Sequence, residues 1–236
     1  DDSPGVRVLV PARRGSKSIP GKKLRKVGNF TLLEYAIAAA RAIFPRDQVW
    51  VSTDSAEYAE VAKRAGATVP FLRPAALSTD VSTDYQVFRH AMEWERSTCN
   101  ETRVWLHLRP TTPDRNPETV RDALTTFMAN QEVATSLRSA HPVPQVPQKW
   151  GTRDSDGYFR TLCNSKAADL MNQPRQNYPQ VFQPNGYVDV IGTSTIAQGN
   201  LHGNACLLYQ TEASTDIDRL VDLEQVALKQ TNLEAL

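Results

Sequence analysis

The stretch Val6–Lys22, VRVLVPARRGSKSIPGK, decides how the rest of the chain is read. Val6 to Val10 is a β-branched run of strand length, and Pro11 stops it. A basic loop with Gly15 and Gly21 follows, and then Thr31 to Phe44 places Leu32, Leu33, Ala36, Ile37, Ala40 and Ile43 on one helical stripe. Strand, polar loop and helix in that order open an α/β unit. The glycines let consecutive backbone N–H groups converge, and Arg13, Lys17 and Lys22 add fixed positive charge, a combination suited to a triphosphate. The spacing matches neither G-x-x-x-x-G-K-[ST] nor G-x-G-x-x-G, so a P-loop ATPase and a dinucleotide-binding dehydrogenase both lose ground.

The same alternation continues outward. Gln48–Ser52 reads as a second strand, Ser55–Ala65 as a helix closed by Gly66, Thr68–Phe71 as a third strand and Asp84–Arg96 as a helix. Val104–Leu108 reads as a fourth strand, Asn116 caps a helix running to about Ala129, and Val133–Leu137 is a fifth strand. Strands separated by helices imply βαβ crossovers and a mostly parallel sheet, whose ligands lie beyond the carboxyl ends of the strands. Those ends carry the basic loop, Ser52-Thr-Asp54 and Arg109-Pro-Thr-Thr-Pro-Asp-Arg115. From His141 the pattern changes. Pro142, Pro144, Pro147, Pro174, Pro179 and Pro184 interrupt any regular element, so residues 141–186 read as an inserted arm within a single domain, 1–236. Regularity returns with Gly186–Ile191, Leu207–Tyr209 and a closing helix, Leu220–Lys229.

Composition narrows the function. The 236 residues carry 27 Lys plus Arg and 26 Asp plus Glu, a net charge of +1, against a nucleic-acid binder or a membrane-surface protein. Eight basic residues (Arg7, Arg13, Arg14, Lys17, Lys22, Lys23, Arg25, Lys26) nevertheless fall in one segment that holds no acid, and the rest of the chain is mildly acidic. No apolar run approaches about 18 residues, so no membrane span is expected. The chain begins at Asp1 without Met, read as the loss of an initiator or tag, and no secretory leader is expected. Cys99, Cys163 and Cys206 have no paired spacing and suit reduced thiols in a cytoplasm. His90, His107, His141 and His202 lack metal-ligand spacing; His107, inside an apolar strand, reads as a satisfied core residue, and Trp50 and Trp105 read as core. Asp216 and Asp218, two apart in Ser214-Thr-Asp-Ile-Asp218, suit Mg²⁺ if the segment is extended, because Mg²⁺ takes one or two carboxylates plus phosphate oxygens; a pair of capping or solvent-facing acids is the other reading.

These pieces together resemble the acylneuraminate cytidylyltransferase family. The resemblance spans nearly the whole chain in the family's order: Pro11–Lys23, Val51-Ser-Thr-Asp54, Leu72-Arg-Pro-Ala75, Leu108-Arg-Pro-Thr-Thr-Pro113, Gln173-Pro-Arg-Gln176, Pro184-Asn-Gly186 and Asp216-Ile-Asp218. It implies a Rossmann-like sheet and a homodimer whose Pro-rich arm serves dimerisation and the partner's substrate site. It also implies transfer of CMP from CTP to a small acid with release of pyrophosphate. Arg13, Lys17 and Lys22 would be the catalytic cations. With them Gly15, Ser16, Lys23, Arg73, Ser82, Asp84 and Arg109 would bind the nucleotide, Arg73 and the backbone near Ser82 lying by the cytosine. Lys149, Arg175, Gln183, Asn185 and Asp189 would face the acid, and Asp216 and Asp218 would hold Mg²⁺, or Mn²⁺ in its place.

Departures from the family pattern point to the acceptor. Arg14 and Ser18 alter the loop, Lys23 stands for an Asn, Arg109 for a Gln and Asp84 for a Ser. Gln183 replaces the Arg of Arg-Pro-Asn-Gly, and Tyr187-Val-Asp189 replaces Ala-Ile-Tyr. Exchanging an Arg fork for an amide removes charge-assisted hydrogen bonds worth about 1.5–3 kcal/mol each. A buried Asp189 would repel a carboxylate unless Arg109 or another cation pairs with it. The expected acceptor is therefore an altered nonulosonic acid of legionaminic or pseudaminic type rather than N-acetylneuraminate. A phosphonate or sugar-phosphate acceptor, or a non-catalytic nucleotide-binding dimer, are the other readings.

Overall fold

In a computed structural model the described residues are 5–15, 19–98, 102–162, 168–224 and 226. They form β1 (Val6–Pro11), a small ribbon of β2 (Lys26–Val27) and β3 (Phe30–Thr31), α1 (Leu32–Arg41), β4 (Val49–Ser52), α2 (Ala56–Arg64), α3 (Asp84–Arg96), β5 (Val104–His107) and α4 (Pro117–Ala129). Next come β6 (Ser136–Val143), a hairpin of β7 (Gly151–Arg153) and β8 (Phe159–Thr161), β9 (Val181–Gly192), α5 (Thr193–Ala197) and β10 (Cys206–Gln210).

Six strands build the central sheet in the order β10-β6-β9-β5-β1-β4. β1 lies parallel to β4 and β5, and β10 parallel to β6, whereas β9 is antiparallel to both of its neighbours. Val8 and Val10 of β1 share a core with Leu33, Ala36 and Ile37 of α1 and with Val120 and Phe127 of α4. Leu9, pointing the other way, packs with Trp50, Trp105 and the Val87, Phe88, Ala91 and Met92 stripe of α3. Both faces of the middle strands are therefore covered, as parallel sheets require. This is the expected Rossmann-like architecture.

Helix ends follow the local signals. Thr31 with Glu34, and Thr83 with Gln86, make reciprocal capping boxes on α1 and α3, and Asn116 caps α4 ahead of Pro117. Two strand expectations are corrected. Thr68–Phe71 forms only the bridges Trp50↔Thr68 and Thr53↔Leu72 beside β4, because Pro70 has no N–H to continue a ladder. The fifth strand is shifted to Ser136–Val143, the preceding residues being spent on the turn in which Val133 and Ala134 donate to the Asn130 carbonyl. β6 and β9 also run into the expected arm, pairing Ala140–Val143 with Val181–Pro184. The residues between them that are described carry the β7–β8 hairpin and short 3₁₀ turns, outside the central sheet. The closing helix starts at Leu220; its end falls outside the described residues.

Candidate nucleotide site at the sheet edge

The chain passes from β1 to β4 on one side and then to β5 on the other, so the order reverses between β1 and β5. Crevices at such reversals are where open α/β sheets bind ligands. A recess of about 170 Å³ lies there, lined by Pro11 and Arg13 at the end of β1, by Lys23 and Arg73, by Ser82, Asp84 and Val87 around the start of α3, and by His107, Arg109, Pro110 and Thr111 at the end of β5. Its size falls below the range of about 300 Å³ and more usual for whole-ligand clefts, and suits a base rather than a complete nucleotide.

Three cations gather at one end. Arg73 is 5% exposed, its backbone N–H donates to the Thr53 carbonyl at 2.7 Å, and its Nε and Nη2 have no partner. Arg13 donates to Asp80 at 2.8 Å. Burial, reinforced by Lys22, Arg13 and Arg73, pulls the Lys23 ammonium down to about 8. Binding an anion restores its charge, which fixes the sign of the pH dependence. Lys23 is protonated in the free protein only below about pH 8, so an anion bound through it would be held most tightly there and would lose affinity above it, by up to about tenfold per pH unit. We expect KM for the nucleotide to climb between pH 8 and 9.5 in the wild-type protein and to stay flat in Lys23→Asn; a flat wild-type profile would contradict the assignment.

The opposite end is a charge network. Asp189 is wholly buried in β9 and accepts from Arg109 Nη1 at 2.8 Å, while Arg109 Nη2 donates to Asp84 at 3.0 Å. The expected clash between Asp189 and an acidic ligand is thereby offset by Arg109, with Arg138 Nε a further 3.6 Å from the same carboxylate. Burial depresses the Arg109 guanidinium, but Asp189 and Asp84 outweigh it and leave its pKa raised.

His107 corrects an expectation. It is buried, as a strand residue should be, yet neither ring nitrogen has a hydrogen-bond partner, and Nδ1 stands 3.7 Å from Asp189 and 3.9 Å from Asp84. Burial and the neighbouring Arg109 lower its pKa to about 3, so the ring is neutral at physiological pH. It is therefore an unsatisfied wall of the recess rather than a satisfied core side chain. Four hydrophobic-looking strand positions, Val104–His107, gave no warning, because a strand buried on both faces shows no alternation.

The loop after β5 joins this recess to the acidic pair. Arg115, which the motif reading passed over, is buried and donates to the carbonyls of Tyr187 at 2.6 Å and Arg109 at 2.9 Å; burial brings its pKa to about 10. Ile217 N–H donates to the Thr111 carbonyl at 2.8 Å, tying the acidic segment to this loop. Burial, with the neighbouring Asp218 adding to it, raises the Asp216 carboxyl, although Thr111 hydrogen-bonds to it. Gly21, at φ +63°, turns the basic loop so that Lys22 points inward. Lys22 Nζ donates to the Ile217 carbonyl at 2.7 Å and to Asp218 at 2.8 Å. Lys22, Asp216 and Asp218 are thus brought together from opposite ends of the chain.

Other expected residues sit elsewhere. Ser16 and Lys17 lie outside the described residues. Gly15 lines a neighbouring cleft with Arg14, Asp54 and Tyr58, and Ser82 caps its own turn by accepting from Thr79 N–H at 2.9 Å. Asn185 spends its amide on the fold: Nδ2 donates to Thr211 and the Glu212 carbonyl, and Oδ1 accepts from Ser139 and the Tyr187 N–H. Gln183 is exposed on β9 opposite His141. Arg175 lines a cleft of the arm, and Lys149 stands 5.4 Å over the Tyr178 ring; neither lines the recess.

The α/β sheet thus carries a cation-rich recess at its reversal point, joined through the loop after β5 to an acidic pair and a buried lysine. The family model described as cytidylyltransferase matches residues 7–145, and the chain belongs to that family. It is 34% identical over 237 residues to the CMP-N,N'-diacetyllegionaminic acid synthase of Legionella pneumophila, covering 98% of this chain and 99% of that one. It is 33% identical over 126 residues to the pseudaminic acid cytidylyltransferase of Campylobacter jejuni, covering 52% and 53%. A solved CMP:2-keto-3-deoxy-manno-octonic acid synthetase complexed with CTP shares the fold, with a TM-score of 0.72, 14% identity and coverage of 96% and 98%.

Proposed function

We propose that this cytidylyltransferase joins CMP from CTP to the anomeric hydroxyl of a nonulosonic acid, of legionaminic or pseudaminic type, with release of pyrophosphate. The observation that carries the reading is the continuous path from the cationic recess, through Arg109–Arg115, to Asp216, Asp218 and Lys22. A nucleotide base in the recess directs its phosphates along that path. The acceptor oxygen then attacks the α-phosphorus, the bond to the bridging oxygen breaks, and pyrophosphate departs. Lys22 and Arg13 offset charge on the phosphate oxygens, and the protein's work is positioning and electrostatics.

Asp216 and Asp218 fit Mg²⁺. Burial and the neighbouring Asp218 charge both raise the Asp216 carboxyl, so a cation bound there would offset both, while Asp218 Oδ1 is held by Lys22 Nζ at 2.8 Å. Among the described residues no third His, Cys, Asp or Glu completes a cage, which suits an ion bound jointly with the triphosphate. Bound there, Mg²⁺ would supply charge compensation at the phosphates.

A homodimer completes the reading. Lys149 and Arg175 sit on the arm, away from the chain's own recess, and Trp150, Tyr158, Phe159 and Leu162 are exposed on and around the β7–β8 hairpin. Such a patch calls for a partner surface. Sedimentation should give a dimer for the wild-type protein and a monomer for Trp150→Glu/Phe159→Glu; a wild-type monomer at micromolar concentration would overturn this part. Within the described residues no helix is long and apolar enough to cross a membrane, and a cytoplasmic setting is the reading that accords with the free Cys206 thiol.

Pyrophosphate release tests the reaction. With Mg²⁺ and CTP it should appear with N,N'-diacetyllegionaminate or pseudaminate and exceed the rate with N-acetylneuraminate. Release only with a sugar-1-phosphate or a phosphonate would reassign the acceptor.

A further inference from the structure

Lys22 is placed by sequence among the cations for the nucleotide phosphates, yet its ammonium is already engaged within the chain. Lys22 is 6% exposed, and Nζ donates to the Ile217 carbonyl at 2.7 Å and to Asp218 Oδ1 at 2.8 Å. The two backbones that carry this contact are fixed independently of it. Lys22 opens a 3₁₀ turn, Lys22–Leu24, in which Arg25 N–H donates to the Lys22 carbonyl at 3.0 Å. Ile19 of the same loop and Ile217 of the acidic segment are buried in one apolar cluster with Val27 and Leu32, and Ile217 N–H is tied to Thr111. A change of partner at Lys22 is therefore left to its side chain, a compact charge with three rotatable donors on a flexible four-carbon stem.

Exposure across the pair is unequal. The Asp218 side chain is 70% exposed and that of Lys22 is 7% exposed. A divalent cation can reach Asp218 from solvent, but taking that carboxylate leaves a buried ammonium with one carbonyl as its acceptor. Stranding a buried charge is costly, whereas phosphate oxygens would receive it with charge-assisted hydrogen bonds. Among the described residues no His, Cys, Asp or Glu joins the two carboxylates as a third ligand, so a lone ion has only this pair to draw on, half of it held by Lys22.

We propose that Lys22 is the resident counter-ion of the acidic pair and yields Asp218 only when nucleotide phosphates receive its ammonium, so that a divalent cation enters with the nucleotide and not ahead of it. The exchange conserves pairing. Lys22 passes from Asp218 to a phosphate oxygen, and Asp218 passes from the ammonium to the metal ion. No proton moves and no covalent bond breaks.

The inference rests on the cytidylyltransferase reading and its placement of the metal, and the test is read without turnover. Mn²⁺ binding, followed by loss of the free-ion EPR signal, is titrated on nucleotide-free wild type, Lys22→Met, Lys22→Arg and Lys22→Met/Asp216→Asn. Lys22→Met should bind Mn²⁺ at least about tenfold more tightly than the wild type, the strength of one charge-assisted hydrogen bond. Lys22→Arg keeps the charge and should stay near the wild type. The same Lys22→Met should bind metal-free CTP at least about tenfold more weakly, a pair of opposite effects that a purely structural lysine would not produce. Unchanged or weaker Mn²⁺ binding in Lys22→Met overturns the inference, as does an equal gain in Lys22→Arg. Where Lys22→Met does not fold, Lys22→Gln carries the same comparison. Tight Mn²⁺ binding that survives the added Asp216→Asn would overturn the metal placement and the exchange together. Failure of the wild type to release pyrophosphate with any acceptor would instead sink the proposed reaction, while the Mn²⁺ titrations would still decide the role of Lys22.

Discussion

Asp216→Asn should lower turnover with CTP and Mg²⁺ by about 10²–10³-fold, the scale seen when one preorganised charge or donor is removed from a phosphoryl or acyl transfer site. The variant should fold at least as well as the wild type. Burial is the main reason that the Asp216 carboxyl is raised, with the Asp218 charge adding to it. A group whose pKa is higher folded than unfolded destabilises the fold wherever it is ionised, so at neutral pH removing the charge relieves that penalty. An amide keeps the shape and can still bond to Thr111. A large activity loss with an unchanged or raised melting temperature therefore marks a functional carboxylate. Undiminished turnover would remove the metal assignment, and lost activity with lost stability would mark a structural one.

The second large effect is on the fold itself. Asp189 has no exposed surface and holds Arg109 at 2.8 Å, so Asp189→Ala leaves a largely buried guanidinium with Asp84 as its remaining acid. Breaking a buried pair from one side costs about 3–5 kcal/mol. At this chain length that corresponds to about 6–20 °C in melting temperature. Replacing both partners with apolar residues of similar shape, Arg109→Met with Asp189→Leu, should recover much of the loss, because the charges left without these partners, Asp84 and Arg138, are the solvent-exposed ones. Calorimetry on the two single variants and the double variant measures the coupling. Additive losses would show that the pair does not act as a unit.

The parts legible from sequence were those with a local physical signal. Asn116 was read as the cap of α4, and the helical spacing of Thr31–Phe44 and Asp84–Arg96 matches α1 and α3, whose capping boxes at Thr31 and Thr83 the structure adds. The basic loop declared itself by charge and glycine. What depended on long-range pairing was not legible. The antiparallel insertion of β9 between β5 and β6 leaves no mark in the pattern of either neighbour, since strands buried on both faces read as plain apolar runs. His107 looked satisfied for the same reason. Arg115 had a signal, a lone cation in Pro-Thr-Thr-Pro-Asp-Arg, but only the fold shows it donating to the Tyr187 and Arg109 carbonyls. Lys22 was read as a phosphate ligand; its bonds to Ile217 and Asp218 show that it also ties the loop to the acidic segment, 196 residues away from it in sequence. Among the described residues of the arm, Arg175 lines a cleft of the arm itself and none lines the recess at the β1–β5 reversal.

The measurement that tests the account most directly is phosphorus NMR of the wild-type protein with CTP, Mg²⁺ and N,N'-diacetyllegionaminate. The account predicts that the three CTP signals give way to one phosphodiester signal and one pyrophosphate signal of twice its intensity, with no free CMP in excess of slow hydrolysis. CTP left intact across nonulosonic acid acceptors, or consumed to CDP and phosphate, would contradict it.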